Sequence, residues 1–81
     1  MSLFSDLLSE YIDKKNIKVL PMAKCCGLDR STMYKLISGK RKPPSRDIFE
    51  KMVQFMHLTP TETQNFEEAW KVTRIGPDIY Y

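Results

Sequence analysis

The sequence predicts an all-α fold, a compact bundle of five short helices. Apolar residues recur at spacings of three and four along several segments, which is the period of a helix packed on one face. Capping residues, glycines and prolines separate these segments, and no segment shows the alternation of a strand. A chain of 81 residues with 42% hydrophobic and 28% charged residues fits one small domain with one core.

The first two helices are short and amphipathic. The first has these residues on one face: Phe4, Leu7, Leu8, Tyr11 and Ile12. It is expected to end near Lys15, because Asn16 tolerates the left-handed conformation that closes helices. The second runs from Val19 to Cys26, and Pro21 is acceptable there because it falls in the first turn.

The third helix is expected to run from Arg30 to Ser38. Asp29 can cap it, because its carboxylate can accept hydrogen bonds from the free N–H groups of Ser31 or Thr32. Gly39 is a natural residue to close it. The apolar stripe consists of Met33, Leu36 and Ile37.

A basic loop, 40–44, separates the third helix from the last two. Ser45 can cap a fourth helix with a wide apolar face: Ile48, Phe49, Met52, Val53, Phe55 and Met56. The segment Thr59-Pro60-Thr61-Glu62 is a capping box that begins a fifth helix. Its expected core residues are Phe66, Ala69 and Trp70. We expect a domain over 1–75 and an irregular tail over 76–81, which can lead into a region outside this chain.

The connection between the second and third helices is Gly27-Leu28-Asp29, and a turn this short forces a steep crossing. Ala23 is small enough for close approach, and Gly27 permits a positive φ. The expected apolar wedge between the two helices consists of Met22, Cys26, Leu28, Met33 and Leu36.

Charge is distributed unevenly along the chain. Residues 1–44 contain nine Lys or Arg and four Asp or Glu, a net charge of +5, whereas residues 45–81 contain four and six, a net charge of −2. This asymmetry suggests a polyanionic partner for one face, although a solvated surface can show a smaller version of it.

Other classes of function have little support. No apolar run is long enough to span a bilayer, and the N-terminus lacks the pattern of a signal peptide, so a cytoplasmic location is expected. Cys25 and Cys26 are adjacent, which excludes a disulfide framework, and His57 is the only histidine. We expect no enzyme, no cofactor, no metal and no small-molecule site, because no nucleophile arrangement or phosphate-binding glycine loop is present.

The segment VLPMAKCCGLDRSTMYKLISG, 19–39, resembles the helix-turn-helix of lambda repressor-like (Xre/Cro) DNA-binding domains. The matching positions are Ala23, Gly27, Leu28, Met33, Leu36 and Gly39, with Asp29 as the cap and the basic loop behind. The resemblance extends over 3–74 with five helices in the expected order. It implies sequence-specific binding of double-stranded DNA by a prokaryotic or phage transcriptional regulator, as a homodimer, cytoplasmic and nucleoid-associated when bound.

In such domains the second helix of the motif lies in the major groove. The resemblance implies base contacts from Arg30, Ser31, Tyr34 and Lys35. It implies phosphate contacts from Lys18, Lys24, Ser38, Lys40, Arg41 and Lys42. The family usually opens the motif with a glutamine that braces a phosphate, and this chain has Val19 there, which leaves the contact to the Val19 N–H or to Lys18.

Alternatives stay open at the level of sequence. Arg30 and Lys35 can belong to a solvated helix face, and Tyr34 can be a packing residue. The motif can also serve as a protein–protein interaction module, as relatives in sporulation and toxin–antitoxin systems suggest. A redox or metal role for the Cys25–Cys26 pair is a further alternative, but no other ligand residues support it. The operator, the effector, the dimer interface and the direction of regulation do not follow from these residues.

Overall fold

Five helices build the fold in the computed structural model of the chain, which describes the backbone of residues 3–80 and the side chains of residues 3–74. The helices are α1 (Leu3–Lys14), α2 (Val19–Cys25), α3 (Arg30–Ser38), α4 (Arg46–Met56) and α5 (Pro60–Tyr80). No strand occurs within 3–80, so the predicted all-α class is confirmed.

Left-handed residues end or follow four of the helices, and at three of them the sequence suggests this conformation. Asn16 after α1 has φ of 55°, and Gly39 after α3 has φ of 80°. Gly27 after α2 has φ of 72°. His57 closes α4 in the same conformation with φ of 51°, which sequence reasoning did not specify. These residues turn the chain sharply, so that short helices fold back on one another.

Capping hydrogen bonds define the starts of two helices. The Asp29 carboxylate accepts a hydrogen bond from the Thr32 N–H at 2.9 Å. Glu62 accepts from the Thr59 N–H at 2.9 Å, and the Thr59 hydroxyl accepts from the Glu62 N–H at 3.1 Å, which confirms the capping box. Ser45 occupies the N-cap of α4, but its side chain makes no capping hydrogen bond there.

An aromatic cluster joins α1, α4 and α5 at the centre of the core. The ring of Phe66 lies 4.9 Å from that of Phe4 and 5.1 Å from that of Phe49, measured between centroids. Phe49 also stacks on Trp70 at 5.1 Å. The Phe4 N–H donates to the Thr73 hydroxyl at 3.1 Å, so the start of α1 is bound to α5 by a buried hydrogen bond as well.

Two helices differ in length from their predicted bounds. The second helix ends at Cys25 rather than Cys26, which forms its C-cap. The backbone of α5 continues to Tyr80, whereas the sequence predicted an irregular tail from Gly76. Glycine and proline weaken a helix without always ending it, and here the backbone of α5 continues through both. The side chains of residues 75–80 and all of Tyr81 lie outside the described part of the chain.

None of the described helices combines the length and the apolar character that crossing a lipid bilayer requires.

Candidate nucleic-acid interface

The turn between α2 and α3 is closed by backbone hydrogen bonds. The Gly27 N–H donates to the Lys24 carbonyl at 3.2 Å, and the Leu28 N–H donates to the Ala23 carbonyl at 2.9 Å. A Cβ at Gly27 would meet no heavy atom within 4 Å. Gly27 is therefore required for its left-handed conformation and not for space, whereas Ala23, which is buried, is the small residue at the helix contact.

The predicted apolar wedge sets the rotation of α3. Met22, Cys26, Met33 and Leu36 are buried, and Leu28 packs partly buried against them. Because Met33 and Leu36 face inward, the residues between them along the helix face outward. The wedge thus decides which face of α3 meets solvent.

The four residues expected to contact bases are exposed on that outer face of α3: Arg30, Ser31, Tyr34 and Lys35. The Tyr34 side chain is 46% exposed, so it is not a core residue. The Arg30 guanidinium carbon lies 5.8 Å from the centroid of the Tyr34 ring. Arg30 and Tyr34 are one helical turn apart, so this cation–π contact joins side chains on the first two turns of α3.

Ser38 lies at the end of α3, beside the basic loop 40–44, which we call the cationic loop and whose cations are Lys40, Arg41 and Lys42. Its hydroxyl donates to the Lys35 carbonyl at 3.2 Å. A serine hydroxyl has one hydrogen to donate, so in this arrangement it has none for a phosphate oxygen. Lys40 donates its backbone N–H to the same Lys35 carbonyl at 2.9 Å, which ties the start of the cationic loop to α3.

The far end of the cationic loop is held by α5. The carbonyl of Pro44 accepts a hydrogen bond from the Trp70 indole N–H at 2.8 Å and another from the Arg74 guanidinium at 2.8 Å. The Arg74 guanidinium carbon also lies 5.0 Å from the centroid of the Trp70 ring. Sequence reasoning missed both anchoring residues. The one available signal was that a largely buried tryptophan needs a partner for its N–H.

Several cations elsewhere on the molecule form ion pairs, although Lys51 and Arg74 form none with the described residues. Lys14 and Lys15 both bind the Glu62 carboxylate, at 3.3 and 2.8 Å. Arg46 binds Glu50 at 3.2 Å and Glu67 at 2.9 Å. The hydrogen bonds that Arg46 donates to Glu67 and Glu50 raise the pKa of Arg46, and the bond to Glu67 lowers the pKa of that carboxyl. The group of Lys14, Lys15 and Glu62 keeps a net charge of +1, and the second group is neutral when Lys71, which also binds Glu67, is counted.

Seven of the nine cations in residues 1–44 form no ion pair with the described residues, and they are the seven predicted to contact DNA. They are Lys18, Lys24, Arg30, Lys35, Lys40, Arg41 and Lys42. All seven are exposed, and they lie just before α2, on α2, on α3 and in the cationic loop. This part of the surface therefore stays positive, although the Asp29 carboxylate at the start of α3 offsets one of the seven charges.

We compared the chain with protein families, with curated proteins and with solved structures, and no match was found in any of the three.

The adjacent cysteines differ in their surroundings. Cys25 is exposed and Cys26 is buried. Burial, with a smaller effect from Cys25, raises the pKa of the Cys26 thiol to about 11, so that this thiol stays protonated at neutral pH. Within residues 3–74, no three His, Cys, Asp or Glu side chains are grouped closely enough to hold a metal ion.

Proposed function

We propose that this protein binds double-stranded DNA in a sequence-specific manner, as a prokaryotic or phage transcriptional regulator of the lambda repressor-like class. In this proposal α2 and α3 form the helix-turn-helix, and α3 lies in the major groove. The observation that carries it is the group of seven exposed cations that form no ion pair within residues 3–74 and that lie on α3 and on the segments before and after it. The major groove is wide enough to admit a helix, and the phosphates on both sides of it attract cations.

Base recognition is assigned to the first two turns of α3. Arg30 can donate two hydrogen bonds to guanine O6 and N7, an interaction that contributes about 1–3 kcal/mol of discrimination. Its contact with the Tyr34 ring limits the number of orientations the guanidinium can adopt. Tyr34 offers a ring to a thymine methyl, Ser31 can donate or accept, and Lys35 can reach a guanine or a phosphate.

Phosphate contacts are assigned to the cationic loop, with Lys18 and Lys24 on the α2 side. The loop is bound to α3 through the Lys40 N–H and to α5 through the Pro44 carbonyl. A loop anchored at both ends loses less conformational entropy when it binds. Ser38 is the weakest of the expected phosphate contacts, since its hydroxyl hydrogen is directed at the Lys35 carbonyl.

The proposal includes a homodimer that binds two half-sites about one helical turn apart, in the cytoplasm and on the nucleoid. A binding-site selection from random duplexes tests it, because specific binding should enrich one sequence and a dimer should enrich two copies of it at a fixed spacing. If no sequence is enriched above the starting pool, the assignment of α3 to base recognition is wrong.

Salt titrations on the enriched duplex distinguish phosphate contacts from base recognition. Replacing the three cations of the loop by alanine should reduce the slope of log K against log salt by about 2.7, since each phosphate contact contributes about 0.9. Arg30→Ala should relax sequence preference at one position and change the slope by about 1 at most. Lys51→Ala is the matched control, because Lys51 is exposed on α4 and forms no ion pair with the described residues.

The alternative function is a protein–protein interaction module, and the same measurements test it. It predicts that duplex affinity is weak and that Arg30→Ala and Lys35→Ala leave it unchanged across the selected sequences. Affinity that falls steeply with salt, together with a loss of preference in Arg30→Ala, would exclude it.

A further inference from the structure

A second surface feature lies between α1 and α5, a groove of about 330 Å³ with a mostly apolar lining. Leu7 and Ala69 form part of its lining, and Leu3 and Val72 lie on the same stripes of the two helices. Leu3 is 59% exposed and Val72 is 41% exposed, so two large apolar side chains meet solvent at the groove. The spacings of three and four residues place these side chains along the two helices in parallel rows.

The groove has an acidic rim. Asp6, Glu10 and Glu68 line it, and all three are exposed. The ion pairs within 3–74 use other carboxylates, and no lysine or arginine lines the groove. The chain carries a net charge of +3, so this face differs in sign from the molecule as a whole.

The groove and α3 lie against different faces of α1. The residues of α1 that line the groove are Leu3, Asp6, Leu7 and Glu10, whereas Ser9 faces α3, with its hydroxyl donating to the Ile37 carbonyl at 3.2 Å. A partner in the groove would therefore leave the outer face of α3 open to DNA.

We propose that this groove docks an amphipathic helix of another protein, one whose apolar stripe is flanked by lysine or arginine. The apolar side chains of that helix would fill the groove, in the manner of other helix-in-groove complexes. Its volume is roughly twice the ~150 Å³ that holds one benzene-sized group, which leaves room for about two large apolar side chains. The flanking cations would pair with Asp6, Glu10 and Glu68.

A second copy of this chain fits the groove less well. In a two-fold symmetric contact the same patch meets itself, so each acidic rim would face another acidic rim. Like charges brought together in this way oppose association. Charge complementarity therefore selects a cationic partner, and this inference does not depend on DNA binding by α3.

A synthetic peptide tests the proposal on the full chain. It has about four helical turns, with leucine at the stripe positions, lysine on both flanks and alanine elsewhere. A matched peptide carries glutamate in place of every lysine. We expect the lysine peptide to bind, with amide shifts in NMR spectra confined to α1 and α5, and the glutamate peptide to show no binding.

Variants of exposed residues identify the site without disturbing the core. Leu3→Ser with Val72→Ser should weaken binding of the lysine peptide by roughly tenfold or more, because apolar contact area is lost. Glu10→Gln with Glu68→Gln should weaken it several-fold and make it less dependent on salt. Leu20→Ser is the matched control, since Leu20 is 52% exposed on α2, and it should bind as the unaltered chain does.

Two results would overturn the proposal. One is equal binding of the two peptides, or binding that the Leu3 and Val72 changes leave intact. The other is self-association of the chain in sedimentation measurements that is abolished by Leu3→Ser with Val72→Ser, since a second copy would then occupy the groove. Thermal melts of each variant show whether it is folded before either result is assigned.

Discussion

Replacing Gly27 by alanine isolates the conformational demand of the turn between α2 and α3. Gly27 has φ of +72°, and a Cβ there would meet nothing within 4 Å. The only cost should be that of placing alanine in the left-handed region, about 1–2 kcal/mol. The entropy of unfolding of an 81-residue chain is about 170 cal/mol/K, from about 2.1 cal/mol/K per residue. The melting temperature should therefore fall by about 6–12 °C.

Thermal unfolding followed by calorimetry or circular dichroism measures this effect. Gly27→Asn is the matched variant, and it should lose less than Gly27→Ala because asparagine enters the left-handed region more readily. Asn16 already adopts that region in this chain, with φ of 55°.

The result can refute the reasoning in two directions. A loss within about 0.5 kcal/mol is typical of unconstrained surface positions, and it would mean that the turn does not need a left-handed residue. A loss above about 4 kcal/mol is typical of overpacking or lost core contacts, and it would mean that space at Gly27 is not open. Equal losses for the alanine and asparagine variants would also exclude left-handed strain as the cause.

Three further predictions follow from the same structure. Hydrogen bonds, of which the one from Lys15 has the largest effect, lower the pKa of Glu62 from 4.5 to about 2. The stability that this carboxylate contributes is therefore complete above pH 4.5 and is lost as the pH falls towards 2. Glu62→Gln should flatten the pH dependence of the urea midpoint between these values, and an unchanged profile would contradict the assignment. Arg74→Met removes one of the two donors that anchor the cationic loop. Limited trypsin digestion should therefore cleave the loop several-fold faster in this variant than in the control Lys71→Met. Equal rates would show that the anchor is not needed. A thiol reagent such as dithionitrobenzoate at pH 8 should label exposed Cys25 rapidly and spare buried Cys26, whose pKa is about 11, until the chain unfolds; rapid labelling of a Cys25→Ser variant would contradict this.

Local signals predicted the ends of the helices correctly where both partners of a hydrogen bond lie close in sequence. Asp29 bonds the N–H three residues later, and Thr59 and Glu62 bond each other over the same separation. Gly39 closes α3 by a backbone conformation that needs no distant partner. The tail beyond Gly76 was predicted less well, because glycine and proline weaken a helix without necessarily ending it, and α5 continues to Tyr80.

The sequence by itself determined the helices, the apolar wedge of α2 and α3, and the inventory of cations. Only the tertiary structure decided which cations stay unpaired, because Lys14 reaches Glu62 across 48 positions of sequence. It also decided that α5 anchors the cationic loop, since Trp70 and Pro44 lie 26 positions apart. The groove between α1 and α5 also depends on the tertiary structure. Periodicity identifies the buried face of each helix, but only the packing of two helices shows which of their remaining residues share a surface.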